Sequence, residues 1–324
     1  MVAHAFCSPT SLVFKTRAMQ LEKEKMMEYT TRSSIQMAKT GGGDDGTNMD
    51  IFSKLSEKKG KILILGGSGF LGTAVANRAI LEGYLVTSLS RRGKPPKVSS
   101  GSSINIDYRQ GDARDLKTIR SILEEDDYTA IIHCIGILFD DGSGLRSMNR
   151  FVSGSGSISD KSSSYDDVTR KTAFNAIEAA EEYGRLRFEK NKGNNPKPLP
   201  FIFTSAAEAG WTSVRGGNFV ESRLTPKWLK RYIDAKRQVE RRLVDHTSPE
   251  YMRPVIFRPS LIYSLERIPS LPAVGALFAG NLVGLPFVDR PMSVQALSLA
   301  MIRSVKKEDV RGVLRYQQVN ELIR

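Results

Sequence analysis

Short runs of apolar residues alternate with amphipathic segments from residue 61 onward. The first run, 62–65, consists of four branched aliphatic residues, which is typical of a strand buried on both faces of a parallel sheet. Regular alternation of such strands with helices predicts an α/β fold with a doubly wound parallel sheet. The strands that this pattern predicts are 62–65, 84–90, 103–109, 129–136, 201–206, 255–259 and 313–319.

Helical spacing of apolar residues marks the segments between these strands. Within 171–183, apolar residues three and four apart fall on one side of a helix. The stretch 139–164 is rich in Gly and Ser and predicts a flexible insertion instead. The predicted helices are 73–81, 115–125, 171–183 and 293–305, with a further helix that carries residues 232–236.

A glycine-rich turn follows the first strand immediately. Residues 66–72 spell Gly-Gly-Ser-Gly-Phe-Leu-Gly, and a helix is predicted directly after them. In such a strand–turn–helix unit Gly66 allows a tight turn, Gly69 lets the backbone approach a pyrophosphate, and Gly72 lets the helix pack on the sheet. The helix N-terminus adds free N–H groups and a partial positive charge. The turn therefore predicts a dinucleotide site, although a purely structural turn is the alternative.

The ends of later strands supply further candidates for this site. Arg91 ends the second strand, where a basic residue accommodates the 2′-phosphate of NADP, so NADP(H) is the favoured cofactor and NAD(H) the alternative. Asp112 can reach an adenine amine or form a plain Asx turn. Gly136 ends the fourth strand, where ligands gather in open α/β sheets. The predicted cofactor-binding residues are Gly66, Gly67, Ser68, Gly69, Phe70, Leu71, Gly72, Arg91, Asp112, Gly136 and Lys236.

Candidate catalytic residues follow the fifth strand. Tyr232 and Lys236 are four residues apart and share a face of the predicted helix. There the lysine would lower the pKa of the phenol and hold the nicotinamide ribose, and the phenol would act as acid or base toward a carbonyl or alcohol. Chance is the rival interpretation, because this segment is rich in Arg and Lys. His133 is predicted to be a core residue rather than a catalyst.

Composition places the chain among ordinary globular proteins. Its 324 residues are 40% hydrophobic and 26% charged, which allows a large buried core. Cys7 and Cys134 are far apart, and the three histidines lack ligand spacing. Neither a disulfide framework nor a metal site is therefore predicted.

The N-terminal residues differ from the rest in composition. Residues 1–20 contain Lys15, Arg17 and several Ser and Thr but no acid, as in an organellar transit peptide; a disordered tail is the alternative. This composition leaves a mitochondrial and a chloroplast location open. The predicted organisation is a transit peptide and linker in 1–57 and a NAD(P)-binding domain in 58–324, with a substrate lobe mainly in 206–231 and 264–295.

Two charge features bear on partners. The formal net charge is +13, and many of the cations lie in 223–242, which could bind nucleic acid, anionic lipid or an acidic partner. A solvated helix face is favoured, since no aromatic-rich nucleic-acid module accompanies them, and nucleic acid is not the expected partner.

Residues 268–288 carry no charge, but prolines and glycines interrupt them. An apolar substrate pocket is therefore predicted there, and a surface that dips into a membrane is its rival.

Short motifs occur along the chain in a familiar order. They are the glycine turn, Ser90-Arg91, Gly111-Asp112, Thr204-Ser205-Ala206-Ala207, Tyr232 with Lys236, Arg258-Pro259 and Ile262-Tyr263. In these motifs the chain resembles the atypical and extended short-chain dehydrogenase/reductases, which have the Rossmann fold. The resemblance is closest to the branch of the thirty-nine-kilodalton subunit of mitochondrial NADH–ubiquinone oxidoreductase, with its relatives in fungal ubiquinone biosynthesis and in plastids.

This resemblance implies a bound NADP(H) and a catalytic hydroxyl, Tyr and Lys, which here are Ser205, Tyr232 and Lys236. The hydroxyl position falls on Ser205 when it is counted from Gly210, and on Ala206 when it is counted from the strand. A missing hydroxyl would weaken polarisation of a carbonyl. Many members of the branch look like nucleotide-holding scaffold or assembly subunits rather than efficient enzymes.

Three hypotheses follow. The first is an NADP(H)-binding accessory or assembly protein of an organellar complex, linked to quinone biosynthesis or to respiratory complex I. The second is an active NADPH-dependent reductase whose small-molecule substrate is an apolar, isoprenoid- or quinone-like carbonyl compound. The third is an organellar protein that binds RNA or a membrane surface through the basic segment 223–242.

Overall fold

The computed structural model describes residues 59–96, 105–145, 164–192, 196–264 and 279–324. Several predictions fall outside these residues: the transit peptide and linker in 1–57, residues 146–163 of the insertion, and residues 265–278 of the substrate lobe and its uncharged run. Within the described ranges, no helix is long and apolar enough to cross a membrane.

Seven parallel strands form the main sheet, in the order β3-β2-β1-β4-β5-β6-β9. This order confirms the predicted doubly wound sheet. Strand β1 pairs with β2 on one side and β4 on the other, so the strand order reverses there and leaves a crevice at the carboxyl ends of β1 and β4. The strands are β1 Lys61–Leu65, β2 Leu85–Ser90, β3 Ile106–Gln110, β4 Tyr128–His133, β5 Leu199–Thr204, β6 Met252–Phe257 and β9 Gly312–Leu314, with β7 Ile262–Tyr263 and β8 Met292–Ser293 in a separate parallel pair.

Helices cover both faces of the sheet. Helices α1, α6 and α7 share one apolar core with the sheet, and α2, α3 and α5 share the core on the opposite face. Because both faces are covered, β1 is apolar at every position from Ile62 to Leu65 rather than at alternate positions. The helices are α1 Phe70–Leu81, α2 Leu116–Glu125, α3 Thr172–Lys190, the short α4 Gly217–Phe219, α5 Lys227–Asp245, α6 Val294–Lys306 and α7 Tyr316–Ile323.

The prediction of a final strand in 313–319 is wrong in its second half. Strand β9 ends at Leu314, and helix α7 begins at Tyr316. The backbone N–H of Arg315 donates to Oε1 of Gln318 at 3.0 Å, which fixes the first turn of the helix. Val319 and Leu322, three residues apart, are the buried pair of α7, and this helical spacing was mistaken for the end of a strand.

Two helical segments depart from the predicted bounds. A π-helical turn, Asp166–Lys171, leads directly into α3, which runs to Lys190 rather than ending at residue 183. The segment from Gly217 to Leu224, α4 followed by a π turn, was not predicted at all.

His133 is a core residue, as the sequence predicted. The side chain is fully buried, and Nε2 lies 3.1 Å from Oγ1 of Thr172. Burial lowers the pKa of His133 from 6.5 to about 3, with a smaller contribution from the positive charge of Lys236. The imidazole is therefore neutral in the folded protein over the physiological range.

Replacing His133 by glutamine should make the protein less sensitive to acid. In the wild type the unfolded chain binds a proton at this position between pH 6.5 and 3 whereas the folded chain does not, so stability is lost as the pH falls through this window. Between pH 7 and 5 this one group should cost about 2 kcal/mol. Urea unfolding of His133→Gln at both pH values should show a loss smaller by that amount, and an equal loss in both proteins would contradict the assignment.

Candidate nucleotide-binding and active site

A cleft of about 450 Å³ opens at the carboxyl ends of the central strands. It extends from the glycine turn after β1 to the side chains that α5 presents over β4 and β5. The predicted site residues that line it are Gly66, Ser68, Gly69, Phe70, Leu71, Arg91, Asp112, Gly136, Ser205, Tyr232 and Lys236. The other two predicted residues, Gly67 and Gly72, do not line the cleft.

The glycine turn needs its glycines for three different reasons. Gly66 has φ +84°, a left-handed conformation that other residues rarely adopt. A Cβ on Gly67 would lie 2.3 Å from Oγ of Ser88, and one on Gly72 would lie 2.2 Å from the carbonyl oxygen of Gly66. Gly72 thus lets the helix pack against the turn itself. The sequence analysis had assigned Gly72 to packing of the helix on the sheet.

Gly69 is the glycine that faces the cleft. A Cβ there would approach the carbonyl oxygen of Gly66 at 3.1 Å and nothing else within 4 Å. Gly69 also precedes α1, and no side chain caps that helix. The N-terminus of α1 is therefore directed at the cleft without a competing side-chain acceptor, which suits an anionic group.

Two positions at the ends of β2 and β3 stand at one end of the cleft. Arg91 is half-buried and, among the described residues, makes no hydrogen bond or ion pair. Asp112 accepts hydrogen bonds from the backbone N–H and from Nε of Arg114, both at 2.9 Å, so it forms an Asx turn. Burial opposes ionisation of Asp112, but the hydrogen bonds and charge of Arg114, together with the charge of Arg91, hold its pKa below the usual value.

Lys236 lies at the centre of the site. The side chain is buried, and Nζ donates to the carbonyl oxygen of Thr204 at 2.7 Å. Nζ is also 4.9 Å from the ring centroid of Phe203 and 5.8 Å from that of Tyr232. Burial lowers the pKa of Lys236 to about 8, only partly offset by the carboxylate of Glu240. The ammonium form therefore still predominates at pH 7.

Tyr232 faces the same cleft from the preceding turn of α5. Its ring meets the ring of Tyr165 edge-on at 5.6 Å, and the hydroxyl of Tyr165 donates to the carbonyl oxygen of Leu138 at 2.7 Å. Burial raises the pKa of Tyr232, and the nearby carboxylate of Glu208 raises it further. The phenol therefore remains protonated across the neutral range, which suits a proton donor better than a base.

Ser205 brings a hydroxyl to the cleft at the position that the sequence left open. Both Ser205 and Ala206 line the cleft, but only Ser205 carries a polar group. Its side chain is 3% exposed, and Oγ has no hydrogen-bond partner among the described residues. Buried hydroxyls are nearly always bonded, so this one is poised for an acceptor supplied by a ligand.

Many of the side chains that line the cleft are apolar, and sequence reasoning missed most of them. Residues 137–145 begin this apolar wall, although the sequence assigned 139–145 to a flexible insertion. The ring of Phe139 packs on Trp228 at 4.9 Å, and Asp140 accepts from Arg231 at 3.1 Å. An apolar run directly after the fourth strand was the available signal. Among the apolar side chains that line the cleft are Ile135, Ile137, Leu138, Val168, Trp228, Leu229, Leu261 and Ile262.

Part of the basic segment is paired within the chain. Arg237 makes a bidentate ion pair with Glu221 at 2.6 Å, Arg242 pairs with Glu181 at 2.6 Å, and Lys236 is buried in the cleft. The sequence predicted a solvated helix face for 223–242. Arg223, Lys227 and Arg241 are exposed, as that prediction requires, whereas these other cations are used within the chain. Among the described residues there is also no cluster of His, Cys, Asp or Glu that could hold a metal ion.

Comparison with known proteins agrees with this geometry. The model of the NAD dependent epimerase/dehydratase family matches residues 62–272. The UDP-glucose 4-epimerase of Thermus thermophilus, solved in complex with NAD, has the same fold: the TM-score is 0.52 at 16% identity, over 81% of this chain and 81% of that chain.

Two proteins of similar sequence span most of the chain. MIOREX complex component 2 of Saccharomyces cerevisiae is 25% identical over 293 residues, which are 80% of this chain and 98% of that protein. An uncharacterized, chloroplastic protein of Arabidopsis thaliana is 24% identical over 282 residues, which are 82% of this chain and 77% of that protein.

Proposed function

Because the chain belongs to the NAD dependent epimerase/dehydratase family, we propose that it binds NADP(H) in the cleft and reduces the carbonyl group of an apolar compound. One observation carries this proposal: Ser205, Tyr232 and Lys236 line the same cleft as the glycine turn. The first sequence hypothesis, an accessory protein without turnover, takes second place because this constellation is complete.

The residues of the cleft fit a nicotinamide dinucleotide. The open side of Gly69 leaves room for a pyrophosphate, and the uncapped N-terminus of α1 suits its charge. The unpaired guanidinium of Arg91 would hold the 2′-phosphate of NADP, and Lys236 would hold the nicotinamide ribose. When bound, this cofactor supplies a hydride.

The chain's own groups act on the carbonyl oxygen of the substrate. The unpartnered hydroxyl of Ser205 would donate a hydrogen bond to that oxygen and polarise the carbonyl. Tyr232, whose raised pKa keeps the phenol protonated, would give the proton that completes the alcohol. The ammonium of Lys236 would stabilise negative charge as it develops on the oxygen.

The apolar wall of the cleft selects the class of substrate. Trp228, Leu229 and Leu261 are among the many apolar side chains of the cleft, and a polar sugar placed against them would leave hydroxyl groups unbonded. An isoprenoid- or quinone-like carbonyl compound would bury apolar surface instead.

A direct assay tests this function. NADPH consumption should be followed with the purified chain and a panel of quinones, apolar ketones and, as the control, sugar nucleotides. We expect turnover with apolar carbonyl compounds and none with sugar nucleotides. Turnover with sugar nucleotides alone would overturn the proposed substrate class.

A second candidate function is an accessory role in an organellar complex. It is favoured by the similarity to a yeast protein that is named as a component of a complex and is matched over nearly its whole length. This role predicts tight NADPH binding, no turnover with any carbonyl compound, and co-purification with a large assembly. The chloroplastic relative supports an organellar location. We favour the mitochondrion, on the matrix side of the inner membrane, because of the resemblance to the branch of the mitochondrial NADH–ubiquinone oxidoreductase subunit. Imaging of the tagged full-length chain would distinguish the two organelles.

A further inference from the structure

An exposed apolar surface lies beside the cleft, on residues 211–230 and 279–290, which we call the lobe surface. Its two segments pack on each other: Nε1 of Trp211 donates to the carbonyl oxygen of Phe287 at 2.9 Å. Large apolar side chains point outward from both segments, namely Leu282, 84% exposed, Val283, 74%, Leu224, 66%, Phe219, 62%, and Leu285, 39%. Leu282 and Val283 are the most exposed large apolar residues of the described chain.

Leu282 and Val283 form the tip of a turn that closes a short helical segment, 279–282. The N–H of Val283 donates to Ala279 at 3.0 Å, and the N–H of Leu285 donates to Gly280 at 3.2 Å. Gly284 has φ +79°, which lets the chain reverse there. Because these backbone N–H groups are bonded within the turn, the tip can enter an apolar medium without leaving them unsatisfied.

The turn is held in place by side chains at its base. Nδ2 of Asn281 donates to the carbonyl oxygen of Val288 at 2.8 Å, and Nε of Arg290 donates to Oδ1 of Asn281 at 2.7 Å. The exposed tip is therefore presented by a fixed turn, so that little conformational order has to be gained when it is buried.

Charge distinguishes the kind of partner that fits this surface. The lobe surface contains two acids, and each is neutralised by an arginine outside it: Glu221 by Arg237 at 2.6 Å, and Asp289 by Arg315 at 2.8 Å. Five cations remain on the lobe surface without an ion pair in the described part of the chain: Arg215, Arg223, Lys227, Lys230 and Arg290.

We propose that the lobe surface binds an anionic lipid bilayer, with Leu282 and Val283 inserted into the interface and the surrounding cations against the lipid phosphates. Apolar insertion combined with unpaired positive charge is the pattern of interfacial membrane binding. The centre of a protein–protein interface is instead usually poor in charged residues. This inference does not depend on the chemistry of the cleft.

Vesicle co-sedimentation of the full-length chain tests the proposal. Two vesicle types are needed, phosphatidylcholine alone and phosphatidylcholine with about 30% of an anionic phospholipid. We expect strong binding to the anionic vesicles and weaker binding to the neutral ones. As the salt concentration is raised, binding to the anionic vesicles should weaken and approach that to the neutral ones.

Matched variants separate the tip from general surface effects. Leu282→Ser with Val283→Ser should abolish sedimentation, whereas Leu186→Ser with Val244→Ser, an exposed pair of the same residue types elsewhere, should leave it unchanged. Arg215→Gln with Arg223→Gln should weaken binding roughly 25-fold, about fivefold per charge. The control for charge is Lys190→Gln with Arg241→Gln, two exposed cations on other faces.

Two results would overturn the proposal. One is equal sedimentation of the tip variant and the wild type. The other is no sedimentation of the wild type with anionic vesicles; if the tip variant then changes the apparent mass in size-exclusion chromatography, the surface is an interface between copies of the chain. An unchanged far-UV circular dichroism spectrum and an unchanged midpoint of thermal unfolding show for every variant that it is folded.

Discussion

Tyr232→Phe should lower the rate of carbonyl reduction by about 10³-fold, because the phenol is the only group placed to give the proton in our account. NADPH affinity should remain within a factor of about two, since the substitution removes one hydroxyl and keeps the ring that packs on Tyr165. The measurement is NADPH turnover with the best substrate of the panel, beside an NADPH binding titration. An unchanged rate would remove Tyr232 from the mechanism.

The dependence of that rate on pH shows whether the phenol works as an acid. Burial and the carboxylate of Glu208 raise the pKa of Tyr232, so the phenol does not ionise in the working range. Lys236, with a pKa of about 8, loses its charge first as the pH rises. The turnover of the wild type should therefore fall as the pH rises through about 8. A rise through the same range would mean that a phenolate base is formed, contrary to the proposed role.

Gly72→Ala should have the largest effect on nucleotide binding. The new Cβ would lie 2.2 Å from the carbonyl oxygen of Gly66 and 2.8 Å from Cα of Gly67, so the turn must move. Both contacts are with backbone atoms, which cannot move away from the new Cβ by a change of rotamer as a flexible side chain can. We expect a loss of about 3 kcal/mol in the free energy of unfolding and no measurable NADPH binding at concentrations that saturate the wild type.

Two other glycines provide the controls for Gly72→Ala. Gly83, at the far end of α1, has φ +86° but only loose neighbours, so Gly83→Ala should lower stability without changing NADPH affinity. Gly69→Ala should do the reverse: the fold accommodates the Cβ, but the group stands in the cleft. If all three variants bound NADPH like the wild type, the glycine turn would have a purely structural role.

The sheet could be predicted because each buried strand corresponds to a short run of apolar residues that are consecutive in the sequence. Residues 62–65 are apolar at every position, and the same applies to the centre of β4, so both faces of the sheet had to be covered by helices. The glycine turn and Arg91 could be placed for the same reason: the topology of a doubly wound sheet brings the ends of its first strands to one edge.

The C-terminal residues could not be predicted from such a pattern. Helix α7 has only two buried residues, Val319 and Leu322, and its first turn depends on a bond between the backbone of Arg315 and the side chain of Gln318. A short helix with so narrow an apolar stripe resembles the end of a strand when only the spacing of apolar residues is considered.

The chemistry of the cleft depends on contacts between distant residues. Counting along the chain left Ser205 and Ala206 as alternatives, and only the fold shows that the hydroxyl of Ser205 is buried beside the cleft. The effect of Glu208 on the pKa of Tyr232 was not anticipated either, since the two residues lie on different elements. Tyr232 was predicted as acid or base, and burial, which is set by tertiary packing, favours the acid.

The central claim is that the cleft binds NADP(H) through the glycine turn and Arg91. It is tested most directly by a fluorescence titration of the full-length chain with NADPH, with NADH alongside, in the wild type and in Arg91→Ala. We predict that the wild type binds NADPH more tightly than NADH, and that the variant loses about 10- to 100-fold in NADPH affinity with little change for NADH, since one charged hydrogen-bonding partner of the phosphate is removed. Absence of binding to either nucleotide would contradict the account.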